Sequence, residues 1–216
     1  MDAADAVLFD LDGTLVNTEP RNRAVWTRYL AELGIPPDGI LDELMGRRGA
    51  DVFAERPELS RGRTLDEVRA RLADLHAQPD LPPVTLLPTS IDFLRTVHAS
   101  GVPVGVVTSA TRQGADAMLD WLGVRDLLSG LVTGGDVTVG KPDPQGYLYG
   151  ARTLGVSPRR TLAVEDSPAG VAAARAAGMT CVAVTTTHAR EELGAADRVV
   201  AALDEIDWPP PGHGGG

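Results

Sequence analysis

Short apolar runs alternate with helical patterns along most of this 216-residue chain. Alternation of this kind is typical of βαβ units, whose strands lie parallel in one sheet. The sequence therefore predicts an α/β fold. The predicted strands span 6–10, 103–108, 130–133, 161–165, 180–185 and 198–201, and the predicted helices span 89–100, 111–122, 144–155 and 167–177.

One connection is far longer than a strand-to-strand crossover requires. Between Leu15 and Pro88 about seventy residues contain no convincing strand. We interpret this stretch as an α-helical unit inserted behind the first strand, although its helices could instead extend the core. Helical patterns within it span 19–33, 38–45, 49–56 and 64–78. The predicted boundaries are a core of 1–16 and 88–207, a helical cap of 17–87 and a disordered tail of 208–216.

Composition excludes several classes of protein. The formal charge of −10 argues against nucleic acid as a partner, because nucleic-acid recognition needs a basic surface. No apolar stretch approaches the ~18 residues of a membrane span. The acidic amino terminus is unlike a signal peptide, and the single cysteine, Cys181, lies in an apolar run. We therefore expect a cytoplasmic protein, with a monomer as the simplest state.

Residues capable of phosphate chemistry are concentrated where the predicted strands end. Parallel strands place their carboxyl ends at one edge of the sheet, where ligands bind. Lysine is also unusually rare, because the chain has nineteen arginines and one lysine. The candidate residues are Asp10 and Asp12 at the end of the first strand, Thr108 and Ser109 at the end of the second, Lys141 before the 144–155 helix, and Glu165 and Asp166 at the end of the 161–165 strand.

This set of side chains suits phosphoryl transfer. Asp10 is ionised at neutral pH and needs no base to act as a nucleophile. Asp12, two residues further on, projects the same way and could handle the proton of the leaving oxygen. Positive charge must offset the phosphate, and carboxylates with Lys141 could supply it by holding Mg²⁺ beside an ammonium.

In these motifs the chain resembles the haloacid dehalogenase superfamily of phosphohydrolases. Asp10-Leu-Asp-Gly-Thr is similar to its first motif, and Thr108, Lys141 and Glu165-Asp166 are similar to the other three. The resemblance implies a Rossmann-like parallel sheet core with an inserted α-helical cap. It also implies roles for the motif residues. Asp10 would be the nucleophile and Asp12 the general acid/base; Thr108, Ser109 and Lys141 would bind phosphate; and Mg²⁺ would be held by Asp10, Asp12, Glu165 and Asp166.

Within the superfamily the chain is most similar to sugar- and polyol-phosphate phosphatases, a branch close to the β-phosphoglucomutases. A lysine-based Schiff-base hydrolase is excluded, because the cap has no lysine. Asn22 stands near the place where the mutases usually carry a histidine. We therefore expect a Mg²⁺-dependent phosphatase acting on a small phosphorylated metabolite. The alternatives are a phosphosugar mutase and a phosphoglycolate phosphatase. Candidate substrate contacts in the cap are Arg21, Asn22, Arg47 and Arg48.

Two unrelated classes fit less well. Receiver domains also combine acidic residues, a threonine and a lysine, but their accepting aspartate lies on the third strand and they have no room for the long insertion. An EF-hand calcium loop would need further ligands and a closing glutamate after Asp12, which the sequence Gly13-Thr-Leu-Val-Asn does not provide.

Overall fold

The structure is a computed structural model that describes residues 4–208. Its helices and strands agree with the predicted ones to within about two residues at each end, as expected for element boundaries. In chain order they are β1 (Ala6–Phe9), β2 (Val16–Asn17), α1 (Glu19–Leu33), α2 (Ile40–Leu44), α3 (Gly49–Glu55), α4 (Leu65–His76), β3 (Thr85–Leu86), α5 (Pro88–Ala99), β4 (Val104–Val107), α6 (Arg112–Leu122), β5 (Gly130–Val132), α7 (Gln145–Leu154), β6 (Thr161–Glu165), α8 (Pro168–Ala176), β7 (Thr180–Val184) and β8 (Arg198–Val200).

Six strands form one parallel sheet in the order β5-β4-β1-β6-β7-β8. The central strand β1 is buried at all four positions, because helices cover both faces of the sheet. Its side chains alternate between two apolar layers, with Phe9 packing on one face and Leu8 on the other. The predicted α/β fold is confirmed.

The long connection after β1 is helical, with one feature that the sequence did not predict. Strands β2 and β3 pair antiparallel, with Val16 opposite Leu86 and Asn17 opposite Thr85. Two residues are too few to show a strand periodicity, so this pairing left no sequence signal. The helices between β2 and β3 have an apolar cluster of their own, in which the Tyr29 hydroxyl donates to the Leu59 carbonyl at 2.7 Å.

The end of the chain packs on the core further than expected. Trp208, counted with the disordered tail, stacks edge-on against Phe93 with ring centroids 5.9 Å apart. Its indole N–H donates to the Ser100 hydroxyl at 2.9 Å. The predicted tail therefore began one residue too early, and its remaining residues, 209–216, lie outside the described residues. Across residues 4–208, each helix is too short or too polar to cross a membrane.

Candidate active site

The pairing of β1 with β6 places two acidic side chains next to each other. Phe9 lies opposite Val164, so Asp10 and Glu165 come next on the two strands. The Asp10 N–H donates to the Val164 carbonyl at 2.9 Å, which continues the ladder one step beyond β1. Both side chains are buried. This is the edge at which parallel sheets bind ligands.

Lys141 lies between these two carboxylates. Its Nζ is 2.5 Å from Asp10 Oδ1 and 2.5 Å from Glu165 Oε1, and the residue is 7% exposed. Burial alone would lower the pKa of Lys141, but the two carboxylates raise that pKa above its usual range. The lysine therefore stays charged. Burial raises the pKa of Asp10, while Lys141 acts to lower it.

The carboxylate of Glu165 accepts four hydrogen bonds. Lys141 and the Tyr147 hydroxyl, at 2.6 Å, share Oε1, while the Asp166 N–H and the Ser167 hydroxyl reach Oε2 at 3.2 Å each. Two bonds on each oxygen use the ordinary capacity of a carboxylate. Sequence reasoning missed Tyr147 as a site residue, although it lies six residues after Lys141 in α7.

Asp166 is buried next to Glu165 and has its own set of hydroxyl donors. Thr14 donates to Oδ1 at 3.3 Å, and the Thr187 hydroxyl donates to Oδ2. Burial, reinforced by the charge of Glu165, raises the pKa of Asp166 to about 8. Thr187 follows β7, and neither its type nor its position in the sequence indicated a role.

Asp10, Glu165 and Asp166 could together hold a metal ion. Each offers one carboxylate oxygen, and these three atoms lie within 4.8 Å of one another. An all-oxygen set of hard ligands fits Mg²⁺. Asp12, which we also predicted as a ligand, is not part of this group.

Gly13 allows Asp166 to come close to the turn after β1. Its φ of +88° is unfavourable for residues with a side chain, and a Cβ there would overlap Asp166 Oδ2 and crowd the Thr187 methyl. The glycine of the Asp10-to-Thr14 motif is therefore required twice, once for the backbone turn and once for the approach of the acidic group.

Asp12 faces the helical insertion. The Thr18 hydroxyl donates to Asp12 Oδ1 at 2.6 Å, and Asn22 Nδ2 donates to that hydroxyl at 3.2 Å. Burial raises the pKa of Asp12, whereas the Thr18 hydrogen bond and the charges of Lys141 and His76 act to lower it. Asn22, a predicted substrate contact, is thus linked to Asp12 through Thr18. His76, at the end of α4, is a nearby residue that sequence reasoning missed.

Thr108 and Ser109 follow β4, as predicted. The Thr108 hydroxyl accepts from the Ala110 N–H at 3.0 Å. Ser109 donates to the Gly46 carbonyl at 2.9 Å, which joins the sheet edge to the helical insertion. Thr111 then caps α6 by accepting from the Gly114 N–H.

The three arginines that we predicted as substrate contacts have protein partners. Arg21 donates to the carbonyls of His76 and Pro82 at 2.6 and 3.1 Å, and Arg47 pairs with Glu55 at 2.6 Å. These partners belong to residues 17–87. Arg48 differs, because besides pairing with Asp51 it donates to the core carbonyl of Val137 at 2.6 Å. Contact of any of them with a substrate stays a prediction.

Comparison with known proteins identifies the family. The family model of haloacid dehalogenase-like hydrolases matches residues 4–178. The chain belongs to the haloacid dehalogenase-like hydrolase family. The resemblance drawn from the motifs is therefore confirmed, and so is the enzymatic class.

Relatives of this hydrolase include named phosphatases. The chain is 40% identical to validoxylamine A 7'-phosphate phosphatase of Streptomyces hygroscopicus subsp. limoneus over 203 residues, which cover 94% of this chain and 95% of that protein. It is 32% identical to hexitol phosphatase A of Escherichia coli, covering 92% and 91%. Among solved structures, β-phosphoglucomutase from Clostridium difficile superposes with a TM-score of 0.79 at 22% identity, covering 95% of this chain and 94% of that one, a likeness that supports the fold alone.

Proposed function

We propose that this hydrolase is a Mg²⁺-dependent phosphatase that acts on a sugar or polyol phosphate through an aspartyl-phosphate on Asp10. The observation that most strongly supports this proposal is the buried contact between Lys141 and Asp10 at the ligand-binding edge of the sheet. A buried lysine there can hold the phosphoryl oxygens while neutralising the carboxylate that attacks them.

Asp10 and Asp12 divide the chemistry. A carboxylate oxygen of Asp10 forms a bond to phosphorus as the bond to the ester oxygen breaks, and Asp12 gives its proton to that leaving oxygen. Asp12 then takes a proton from water, which attacks phosphorus and frees Asp10 and inorganic phosphate. Burial raises the pKa of Asp12, which favours the protonated form that the first step requires.

The acidic group fits the metal that this reaction needs. When bound, Mg²⁺ supplies positive charge that offsets the charges of the phosphate and of Asp10. Asp10 and Asp166 are the better-placed ligands, because Glu165 already accepts four hydrogen bonds from the protein. Glu165 instead orients Lys141.

Residues 17–87 are proposed to form a cap over this site. Two contacts support that arrangement: Ser109 donates to Gly46, and Arg48 donates to Val137. We infer that Asn22 and His76 contact the substrate, because Asn22 reaches Asp12 through Thr18 and the charge of His76 acts on Asp12. We infer that the protein acts as a monomer in the cytoplasm.

The named activities of the relatives support the substrate class. Validoxylamine A 7'-phosphate phosphatase and hexitol phosphatase A match almost the whole length of this chain. Phosphate esters of hydroxyl-rich carbon skeletons are thus the first candidates. A mutase activity is less favoured, because Asn22 cannot exchange protons as a histidine would.

The test is phosphate release from a panel of esters, with Mg²⁺ and with EDTA. The panel includes hexitol, sugar and cyclitol phosphates, phosphoglycolate and β-glucose 1-phosphate. We expect metal-dependent release from the polyol or sugar esters, loss of turnover in Asp10→Asn, and full activity in the control Asp38→Asn, an exposed aspartate. Conversion of β-glucose 1-phosphate to its 6-phosphate without net release would show a mutase and refute the proposal.

A further inference from the structure

Tyr147 brings a hydroxyl group beneath the proposed phosphate site from the interior of the protein. It lies in the first turn of α7 and is 0% exposed. Its hydroxyl donates to Glu165 Oε1 at 2.6 Å, the same oxygen that holds Lys141 at 2.5 Å. A buried tyrosine hydroxyl needs a hydrogen-bond partner, but a neutral partner would cost less desolvation free energy than a buried carboxylate does.

We propose that Tyr147 is a positioning residue, which fixes the carboxylate of Glu165 and thereby holds the Lys141 ammonium group beside Asp10. Its effect on catalysis rests on the proposed phosphatase function. Its effect on the lysine does not, because the hydrogen bonds concerned lie within the protein.

The surroundings of Glu165 explain why this hydroxyl matters. The Asp166 N–H and the Ser167 hydroxyl hold Oε2, and at Gly170 the absence of a side chain leaves the space that the carboxyl group occupies. Oε1 is held by Lys141 and Tyr147. Lys141 has a long side chain with several rotatable bonds, whereas the tyrosine ring is rigid and packed. Without the Tyr147 hydroxyl, Glu165 Oε1 is held only by Lys141, which is the group that Glu165 should position.

The ring and the hydroxyl of Tyr147 make separate contacts. Lys141 Nζ lies 5.4 Å from the ring centroid, within range of a cation–π interaction. Phenylalanine would retain this contact and the packing, and would lose only the hydrogen bond. Burial, together with the charges of Glu165 and Asp10, raises the pKa of Tyr147 well above its ordinary value, which favours the protonated hydroxyl that donates to Glu165.

The single lysine of the chain makes the test direct. Protein labelled with ¹³C and ¹⁵N only in lysine gives one set of side-chain NMR signals, which belongs to Lys141. In wild-type protein we expect the two Cε protons to be inequivalent, because the ammonium group is held. In Tyr147→Phe we expect the difference between their chemical shifts to decrease, because the ammonium group is held less firmly. The matched control is Tyr149→Phe, which removes the hydroxyl of a half-exposed tyrosine on the same helix and should leave the signals unchanged.

Unchanged lysine signals in folded Tyr147→Phe would overturn the proposal. If that variant does not fold, the wild-type protein decides: cross-relaxation between the Tyr147 ring protons and the Lys141 Cε protons is expected, and its absence would overturn the proposed geometry.

Kinetics provide a second measurement. In Tyr147→Phe we expect kcat/KM to fall by about 10- to 150-fold, the range that corresponds to losing one hydrogen bond to a charged group. We also expect the inhibition constant of inorganic phosphate to rise. Tyr149→Phe should match the wild type. No phosphatase activity in the wild-type protein would refute the proposed function, while the lysine signals would still decide the role of Tyr147.

Discussion

Replacing Gly170 with alanine should disrupt the site although no charged residue is substituted. Gly170 lies in the first turn of α8, and an added Cβ would overlap Cδ and both oxygens of Glu165. To reach ordinary van der Waals contact, the carboxyl group would have to move by about 1 Å or more. A movement of this size cannot preserve both the Lys141 bond at 2.5 Å and the Tyr147 bond at 2.6 Å.

The expected loss of stability follows from those two bonds. Hydrogen bonds to charged groups contribute about 1.5–3 kcal/mol each, so Gly170→Ala should lower the free energy of unfolding by about 3–6 kcal/mol. The gain in helix propensity from glycine to alanine is smaller, about 1 kcal/mol. Urea denaturation in EDTA at pH 7 measures the change. Phosphatase activity should fall as well, because Lys141 loses its anchor.

Two further variants make the prediction specific. Gly49→Ala is the control, because a Cβ there would meet only the Phe53 ring at 3.8 Å, and it should keep or slightly raise stability. Adding Glu165→Asp to Gly170→Ala draws the carboxylate back by one carbon, so the double variant should lose less stability than the sum of the two single changes. Gly170→Ala within 0.5 kcal/mol of wild type, with full activity, would refute this reasoning.

Three other outcomes are expected. Burial raises the pKa of Asp166 in the folded protein to about 8, whereas a carboxyl group in the unfolded chain titrates near 4. The metal-free protein should therefore lose stability as the pH rises from about 4 to 8, and Mg²⁺ should restore that stability. Melting temperatures in EDTA that rise over this pH range would contradict the prediction. Arg48→Ala should speed amide hydrogen exchange in the loop after β5, whereas Arg47→Ala, whose partner lies elsewhere, should not. Trp208→Ala should lower the free energy of unfolding by about 1–2 kcal/mol, more than Trp121→Ala, whose residue is 55% exposed.

The candidate site was largely predictable because parallel strands impose a simple geometry. Asp10 follows β1, and Glu165 and Asp166 lie at the end of β6, so the direct pairing of these two strands brings the three side chains together. Lys141 could be recognised from its rarity, since nothing about surface charge explains one lysine among nineteen arginines.

Other parts of the site left no signal in the sequence. Tyr147 and Thr187 act through single hydroxyl groups, and a tyrosine in an apolar helix or a threonine after a strand has many ordinary explanations. Arg48 donates to the backbone carbonyl of Val137, and carbonyls carry no residue-type information. Such contacts depend on the tertiary arrangement of segments far apart in the chain.

The small ribbon of β2 and β3 has a consequence for how this protein can change over evolution. The helical insertion begins after Asn17 and ends before Thr85, and these two residues are paired in the ribbon. Because the exit and the entrance adjoin, the intervening helices can be shortened, lengthened or exchanged without moving the ends that they join. Asp10 and Asp12 lie on the other side of that junction. With the proposed cap role of residues 17–87, new substrate preferences would arise by replacing one continuous segment, while the reactive groups keep their positions.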